Sequence, residues 1–371
     1  MSGDCKKSEE PACRLFVVVA TVLVLRLALA AAVGGAQETG TGARAVTEPA
    51  SAKTAPVRST TQWLPRVRLD NDAYNFWIRP GKRSDEEYTN GVTLAIAALR
   101  APFWGRRLGG GAPGCADGGA PRGPCLSTEL SIAHEMYTPD LDHPPFSYPG
   151  WRDERPYAAL LYVGAEGRRH SARALRTYTL NLGVTGPPAL GRFTQSIAHT
   201  LAARYTTKAE GWETQVGFEP AVLVGMRQSV LAARWAPGGH GVFDVAPSVG
   251  ASLGNVRTSA DVGARVRVGA NLSHPWDPRA WRGRPAWEFQ VNAAGRREYV
   301  ARDFSLDGAS FRSGERHVER VASVKEYEVG TAIRLHRLSV GYRAITRSRE
   351  YTTGPSRHVF SQMYTAMEFH P

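Results

Sequence analysis

Long apolar runs are almost missing from this chain of 371 residues. One occurs, CRLFVVVATVLVLRLALAAAVGGA from Cys13 to Ala36, and no later segment is apolar enough over enough residues to cross a bilayer as a helix. That excludes a multi-helix membrane protein. Arg26 also breaks the one run, leaving fewer than about 18 consecutive apolar residues for a spanning helix. Preceded by Lys6, Lys7 and Arg14 and followed by small residues, the run reads as a cleaved signal peptide over residues 1–36. Repeats of fixed period are absent as well, which excludes a solenoid.

Cysteine is scarce, four in all, and Cys5 and Cys13 fall in or before the signal. Cys115 and Cys125 bracket a Gly/Pro-rich loop of the exported chain. Two isolated cysteines with no nearby histidine make a poor zinc site, whereas an oxidising compartment and a short turn-rich loop favour a disulfide between them. Acid is scarce relative to base: 34 Asp and Glu face 46 Lys and Arg, a net charge of +12. Export argues against nucleic acid as the matching polyanion. Lipopolysaccharide, a phosphorylated glycolipid, is the expected one, drawn by the same long-range field.

Alternation of period two is abundant. Residues 37–61 (Gln37 to Thr61) are rich in Thr, Ala, Gly and Ser without periodicity and read as a disordered leader. Strand patterns then follow over Arg66–Tyr74, around Val92, Leu94 and Ile96, and over Leu130–Tyr137 and Tyr157–Gly164. Tyr178, Leu180, Leu182 and Val184 alternate with Thr179, Asn181 and Gly183; Val262, Val266 and Val268 alternate with Arg265 and Arg267. A soluble sandwich would show the same rhythm. The mean hydropathy of −0.31 fits either, because a membrane barrel hides its lipid-facing residues in such an average. Strand patterns of about 10 residues, the length a tilted strand needs to cross a bilayer, together with export, favour the barrel. The fold class expected is therefore all-β, an antiparallel transmembrane β-barrel of about 12 strands over residues 62–371. Glu326, Glu328, Arg334 and Arg343 are expected in its lumen as paired charges, and Phe369 lies near the C-terminus, where such barrels usually carry an aromatic residue.

One stretch departs from the strand rhythm. Gly183–Leu201, GVTGPPALGRFTQSIAHTL, leaves a strand, turns at Gly186-Pro187-Pro188 and becomes an amphipathic helix. Phe193, Ile197 and Leu201 recur at helical spacing on one side; Gln195 and His199 pair on the other. The apolar side is expected to dock and the polar side to carry chemistry. A helical histidine is more often a surface or satisfied residue, but imidazole is also the usual base near neutral pH.

Polar residues also interrupt strands at Asp70-Asn71-Asp72, Tyr88-Thr89-Asn90-Gly91, Met136-Tyr137-Thr138-Pro139 and Arg155-Pro156-Tyr157-Ala158. With the helix motif and the later Gly211-Trp212-Glu213-Thr214-Gln215 and Glu219-Pro220, these six ordered motifs resemble the outer-membrane lipid A deacylase family of the LpxR type. The resemblance implies a twelve-stranded barrel in the bacterial outer membrane, and a monomer is expected. Its site would lie at the outer-leaflet rim, between the barrel wall and a helix from an extracellular loop. It implies hydrolysis of the 3′-linked acyloxyacyl ester of lipid A, with catalytic residues at Asn71, Asp72, Thr89 and His199. The implied cofactor is Ca²⁺, held by oxygen ligands such as Asp72.

The residues themselves leave other roles open: Asn71-Asp72 also suits a turn, and Thr89-Asn90-Gly91 a hairpin. A regular strand would point Asn71 and Asp72 to opposite faces, so a bulge or a strand end is expected there. Two departures from the family pattern bear on activity. Arg192 stands after Gly191 where an acid is expected, and Ser84-Asp85-Glu86-Glu87 replaces the usual Asp-Arg. A barrel whose site has decayed is therefore the alternative. An outer-membrane phospholipase is a further one, disfavoured because its H-x-S-N-G string does not occur.

Overall fold

A computed structural model describes residues 63–72, 87–99, 112–115, 123–139, 152–201, 211–278 and 284–369, without the side chains of residues 198–201. The expected signal peptide and leader lie outside the described residues.

The strands are β1 Trp63–Asn71, β2 Glu87–Ala98, β3 Cys125–Thr138, β4 Ala158–His170, β5 Ala174–Thr185, β6 Pro220–Val230, β7 Ala233–Trp235, β8 Gly241–Gly254, β9 Arg257–Leu272, β10 Trp287–Asp303, β11 Ser323–Leu335, β12 Leu338–Ser348 and β13 Arg357–Met367. Each pairs antiparallel with its neighbours; β1 pairs with β13, and β6 pairs with β8. These pairings close a barrel of twelve strands. The three-residue β7 continues β6 along the same edge of β8, Ser229 facing Ser248 and Ala233 facing Val245. Closure leaves no sheet edge, the condition for carrying β-structure through hydrocarbon.

The alternation seen in the sequence has its apolar side outward. Leu94 and Ile96 on β2, Leu130 and Ile132 on β3, Leu180 and Leu182 on β5, Val262 and Val268 on β9 and Val329 and Ile333 on β11 are all exposed. The inward positions carry charge instead. Glu326 accepts from both Arg296 (2.8 Å) and Arg347 (2.7 Å), Glu328 pairs with Arg265 and Arg343, and Arg334 pairs with Glu288. An apolar outside around a charged inside inverts a soluble protein and suits a wall bathed in lipid. The lumen keeps two polar cavities of about 670 and 510 Å³, bordered by Arg68, Glu135 and Arg296 and by Arg66, Glu166 and Arg168 respectively. These ion pairs join neighbouring or next-but-one strands along the inner wall.

The barrel has two unlike rims. At one, Trp63 and Phe369 exchange backbone hydrogen bonds of 3.1 and 2.9 Å, bringing both ends of the described sheet together. Exposed Trp63, Trp235, Trp287 and Phe369 supply the aromatic residues that favour a membrane interface. Cys115 and Cys125 are joined by a disulfide beside this rim, with Cα atoms 4.8 Å apart. At the other rim β5 passes through Gly186, at a φ of 73° that suits glycine, into a 3₁₀ turn Pro187–Ala189 and then helix α1, Gly191–Leu201. A second short helix, α2 (Phe304–Asp307), follows β10; Asp303 caps it by accepting from the Ser305 amide at 3.0 Å.

Candidate active site

The polar motifs collect at the helix-bearing rim because each falls at a strand end there. β1 ends at Asn71, three residues short of the expected Tyr74, and Asp72 lies in a bend. Asn71 and Asp72 therefore occupy a strand end. The bulge is on the neighbouring strand: the β2–β3 register runs Tyr88↔Tyr137 and then Asn90↔Met136, so Thr89 is the extra residue. Thr89 is buried and its Oγ1 lies 2.5 Å from Oγ1 of Thr138, itself fully buried. Asp72 is fully buried too. Buried polar groups are costly unless they find partners, so a concentration of them at a rim needs a reason beyond packing.

One rung of the sheet leads from this corner to the helix. Asn71 faces Asn90, Asn90 faces Met136, Met136 faces Ala159, and the Gly186 amide donates to the Ala159 carbonyl at 3.2 Å. Three strand spacings of about 4.8 Å thus separate Asn71 from the β4 edge of α1's seat. Beneath α1, Met136, Tyr157, Ala159, Ala189 and Trp212 form a buried cluster. The Tyr157 and Trp212 rings lie 4.9 Å apart. Trp212 Nε1 donates to Gln195 Oε1 at 2.6 Å. Gly191 is required at the foot of the helix: a Cβ there would come within 2.4 Å of the Trp212 ring and 2.7 Å of the Ala159 methyl.

The docking side of α1 is the reverse of that expected from its spacing. Gln195 is the buried residue, 2% exposed, while Phe193 and Ile197 are 62% and 44% exposed. The polar side is held because Gln195 accepts from Trp212 of the buried cluster, a partner that helical spacing does not reveal. His199 lies in α1; its side chain is outside those described. Asn71, Asp72 and Thr89 are thus brought to one corner, with the helix that carries His199 seated further along the same rung.

A group that spacing did not assign braces the corner. Arg155 and Tyr351 are fully buried, and both reach Glu87. Arg155 Nη1 donates to Glu87 Oε2 at 2.6 Å and Nη2 to Ser305 Oγ at 3.0 Å; the Tyr351 hydroxyl donates to Glu87 Oε1 at 2.7 Å. Burial opposes charge on Arg155, but the Glu87 and Glu350 carboxylates outweigh it and hold the guanidinium above its ordinary range. Burial, and next the Glu87 charge, push the Tyr351 phenol above its own range, so it stays a hydrogen-bond donor. Glu87 has a φ of 71°, unusual for a residue with a side chain, two residues before Thr89. The Arg155-Pro156-Tyr157-Ala158 motif and the Ser84-Asp85-Glu86-Glu87 departure each hold one member of this brace, but the partners of Arg155 are 68 residues away and more.

Calcium takes six to eight oxygen ligands. Asp72, Thr89 and Thr138 are hard oxygen donors of the right chemistry. Among the described residues, however, no group of three or more His, Cys, Asp or Glu side chains is placed to hold a metal ion, so these oxygens do not by themselves complete such a shell. Asp85 and Glu86 lie outside the described residues.

The family model described as outer membrane protein LpxR matches residues 23–369. Among solved structures, LpxR from Salmonella typhimurium superposes with a TM-score of 0.65 at 18% identity, covering 83% of this chain and 100% of that one. The β domain of the Bordetella autotransporter BrkA gives a TM-score of 0.39 at 8% identity, covering 84% of this chain and 98% of that one. An outer membrane channel from Pseudomonas putida F1 gives 0.39 at 9%, covering 87% and 100%. No curated protein sequence matches the chain. With the family model spanning nearly its whole length and a closed twelve-stranded barrel beneath it, the chain belongs to the LpxR outer membrane protein family and resides in the bacterial outer membrane.

Proposed function

We propose that the protein is a lipid A 3′-O-deacylase, hydrolysing the 3′-linked acyloxyacyl ester of lipid A at the helix-bearing rim. The observation that carries this reading is the buried polar corner of Asp72, Thr89 and Thr138, joined by one rung of the sheet to the seat of the helix bearing His199. Such a corner at the rim suits an ester presented from the surrounding leaflet better than a solute passing through the lumen.

In the reaction His199 takes a proton from water, and the oxygen attacks the ester carbonyl. The tetrahedral oxyanion collapses, the sugar 3′-oxygen leaves and recovers a proton, and the acyloxyacyl acid departs. Thr89 orients water or substrate through its hydroxyl, and Asn71 offers a carboxamide donor to the developing charge. A calcium ion, when bound, would supply further positive charge to that oxyanion, and Asp72 is the carboxylate proposed to hold it. The protein is proposed to act as a monomer.

Mass spectrometry of lipid A from cells with and without the protein tests the reading. Loss of a whole acyloxyacyl unit is the expected result. Unchanged lipid A with new lysophospholipid would make it a phospholipase, and no change in either would leave a binding or structural barrel.

A further inference from the structure

We propose that α1 is seated in the membrane, its apolar face and the groove beside it occupied by acyl chains of the outer leaflet. The proposal does not depend on the reaction above.

Three observations carry it. First, the helix is fixed by its polar side, through Gln195 and Trp212, which leaves Phe193 and Ile197 turned away from the protein. Second, the face they join is continuous with the lipid-facing wall. On β6, Val224, Val222 and Pro220 point outward in alternation, and Phe218 extends the series two residues beyond the strand while Glu219 and Ala221 point in. On β5, Leu180 and Leu182 face outward opposite Val224 and Val222. Third, Phe218 shares with Leu190 and Phe193 a groove of about 850 Å³. Leu190 and Phe218 are exposed as well.

Exposed apolar side chains that continue an established lipid-facing band belong to the same solvent as the band. Arg192 and Arg312 border the groove together with Glu213 and Glu315, and Arg312 pairs with Glu315 at 3.6 Å, so it is the apolar side chains that mark this face as lipid-facing.

Spin labels at single introduced cysteines test the proposal in the full protein, its Cys115–Cys125 bridge intact, reconstituted into phosphatidylcholine vesicles containing phosphatidylglycerol. Phe193→Cys and Ile197→Cys are compared with Val222→Cys on the barrel wall and Arg349→Cys in the β12–β13 connection. Collision with oxygen, which concentrates in hydrocarbon, is measured against collision with a water-soluble nickel chelate. The expected result is that both helix labels shift to the oxygen-dominated ratio of Val222→Cys. Heat-modifiable migration on gels confirms that each variant is folded, and the two helix positions are read independently, so one failed variant leaves the other decisive. Helix labels with the nickel-dominated ratio of Arg349→Cys would overturn the proposal, whether or not the protein proves to be a deacylase.

Discussion

Arg155 and Glu87 form an ion pair at 2.6 Å with both side chains withdrawn from solvent, and the pair ties the connection before β4 to the start of β2. Glu87 lies two residues before bulged Thr89, and the Tyr351 hydroxyl grips its other oxygen. The candidate site thus rests on a brace drawn from three connections of the rim.

Breaking that brace from one side should be costly. Arg155→Ala leaves the Glu87 charge buried without its main partner, and such losses run to about 3–5 kcal/mol. The variant should show a clearly lowered temperature of gel-migration change, and Arg155→Lys, which keeps the charge but loses the second donor to Ser305, should fall between it and wild type. An unchanged transition in Arg155→Ala would mean that the brace does not stabilise the rim.

The seat of α1 should be separable from the barrel. Gly191→Val places side-chain atoms where the Trp212 ring and the Ala159 methyl already lie, so the helix must lift while the twelve-stranded wall stays closed. The expected outcome is faster protease cleavage near α1 and loss of lipid A modification, with heat-modifiable migration retained. Trp212→Phe, which deletes the donor to Gln195 and leaves a buried oxygen unsatisfied, should give a milder form at about 1–3 kcal/mol. Wild-type cleavage in both would contradict the packing described.

The barrel was legible in the sequence because alternation survives whichever solvent lies outside. Leu180, Leu182, Val262 and Val268 fall where their spacing puts them, and Arg265, between Val262 and Val268, pairs with Glu328 on the inner wall. The orientation of α1 was not legible from spacing, since a helical moment says which residues share a face but not whether protein or lipid covers it. The bulge at Thr89 was also hidden, because Thr-Asn-Gly carries a hairpin signal and only the pairing with β3 exposes the extra residue. The contacts of Glu87 with Arg155 and Tyr351 join segments far apart in the chain, beyond the reach of any local pattern.

Cys115 and Cys125 should be closed to maleimide in the exported protein until a reductant is added. Replacing both by serine should leave the barrel inserted while costing up to about 2–4 kcal/mol for the loop it closes, read as a lower transition temperature on heating. Labelling of both thiols without reductant would refute the bridge.

Calcium dependence rests on the family resemblance and on the oxygen donors at the corner. Chelation with EGTA should silence lipid A deacylation, and added Ca²⁺ should restore it. Activity that survives thorough chelation would remove the ion from the proposed chemistry while leaving the barrel assignment untouched.

The most direct test compares lipid A by mass spectrometry from cells carrying wild-type protein, His199→Ala, Asp72→Ala or Thr89→Ala, each confirmed as a folded barrel by heat-modifiable migration. A general base typically contributes about 10²- to 10⁴-fold and oxyanion stabilisation about 10²- to 10³-fold. Wild type should therefore lose the whole acyloxyacyl unit, His199→Ala and Asp72→Ala should leave lipid A intact, and Thr89→Ala should convert part of it. Near-wild-type conversion by His199→Ala would contradict the account, leaving the helix a membrane-seated element without a catalytic base.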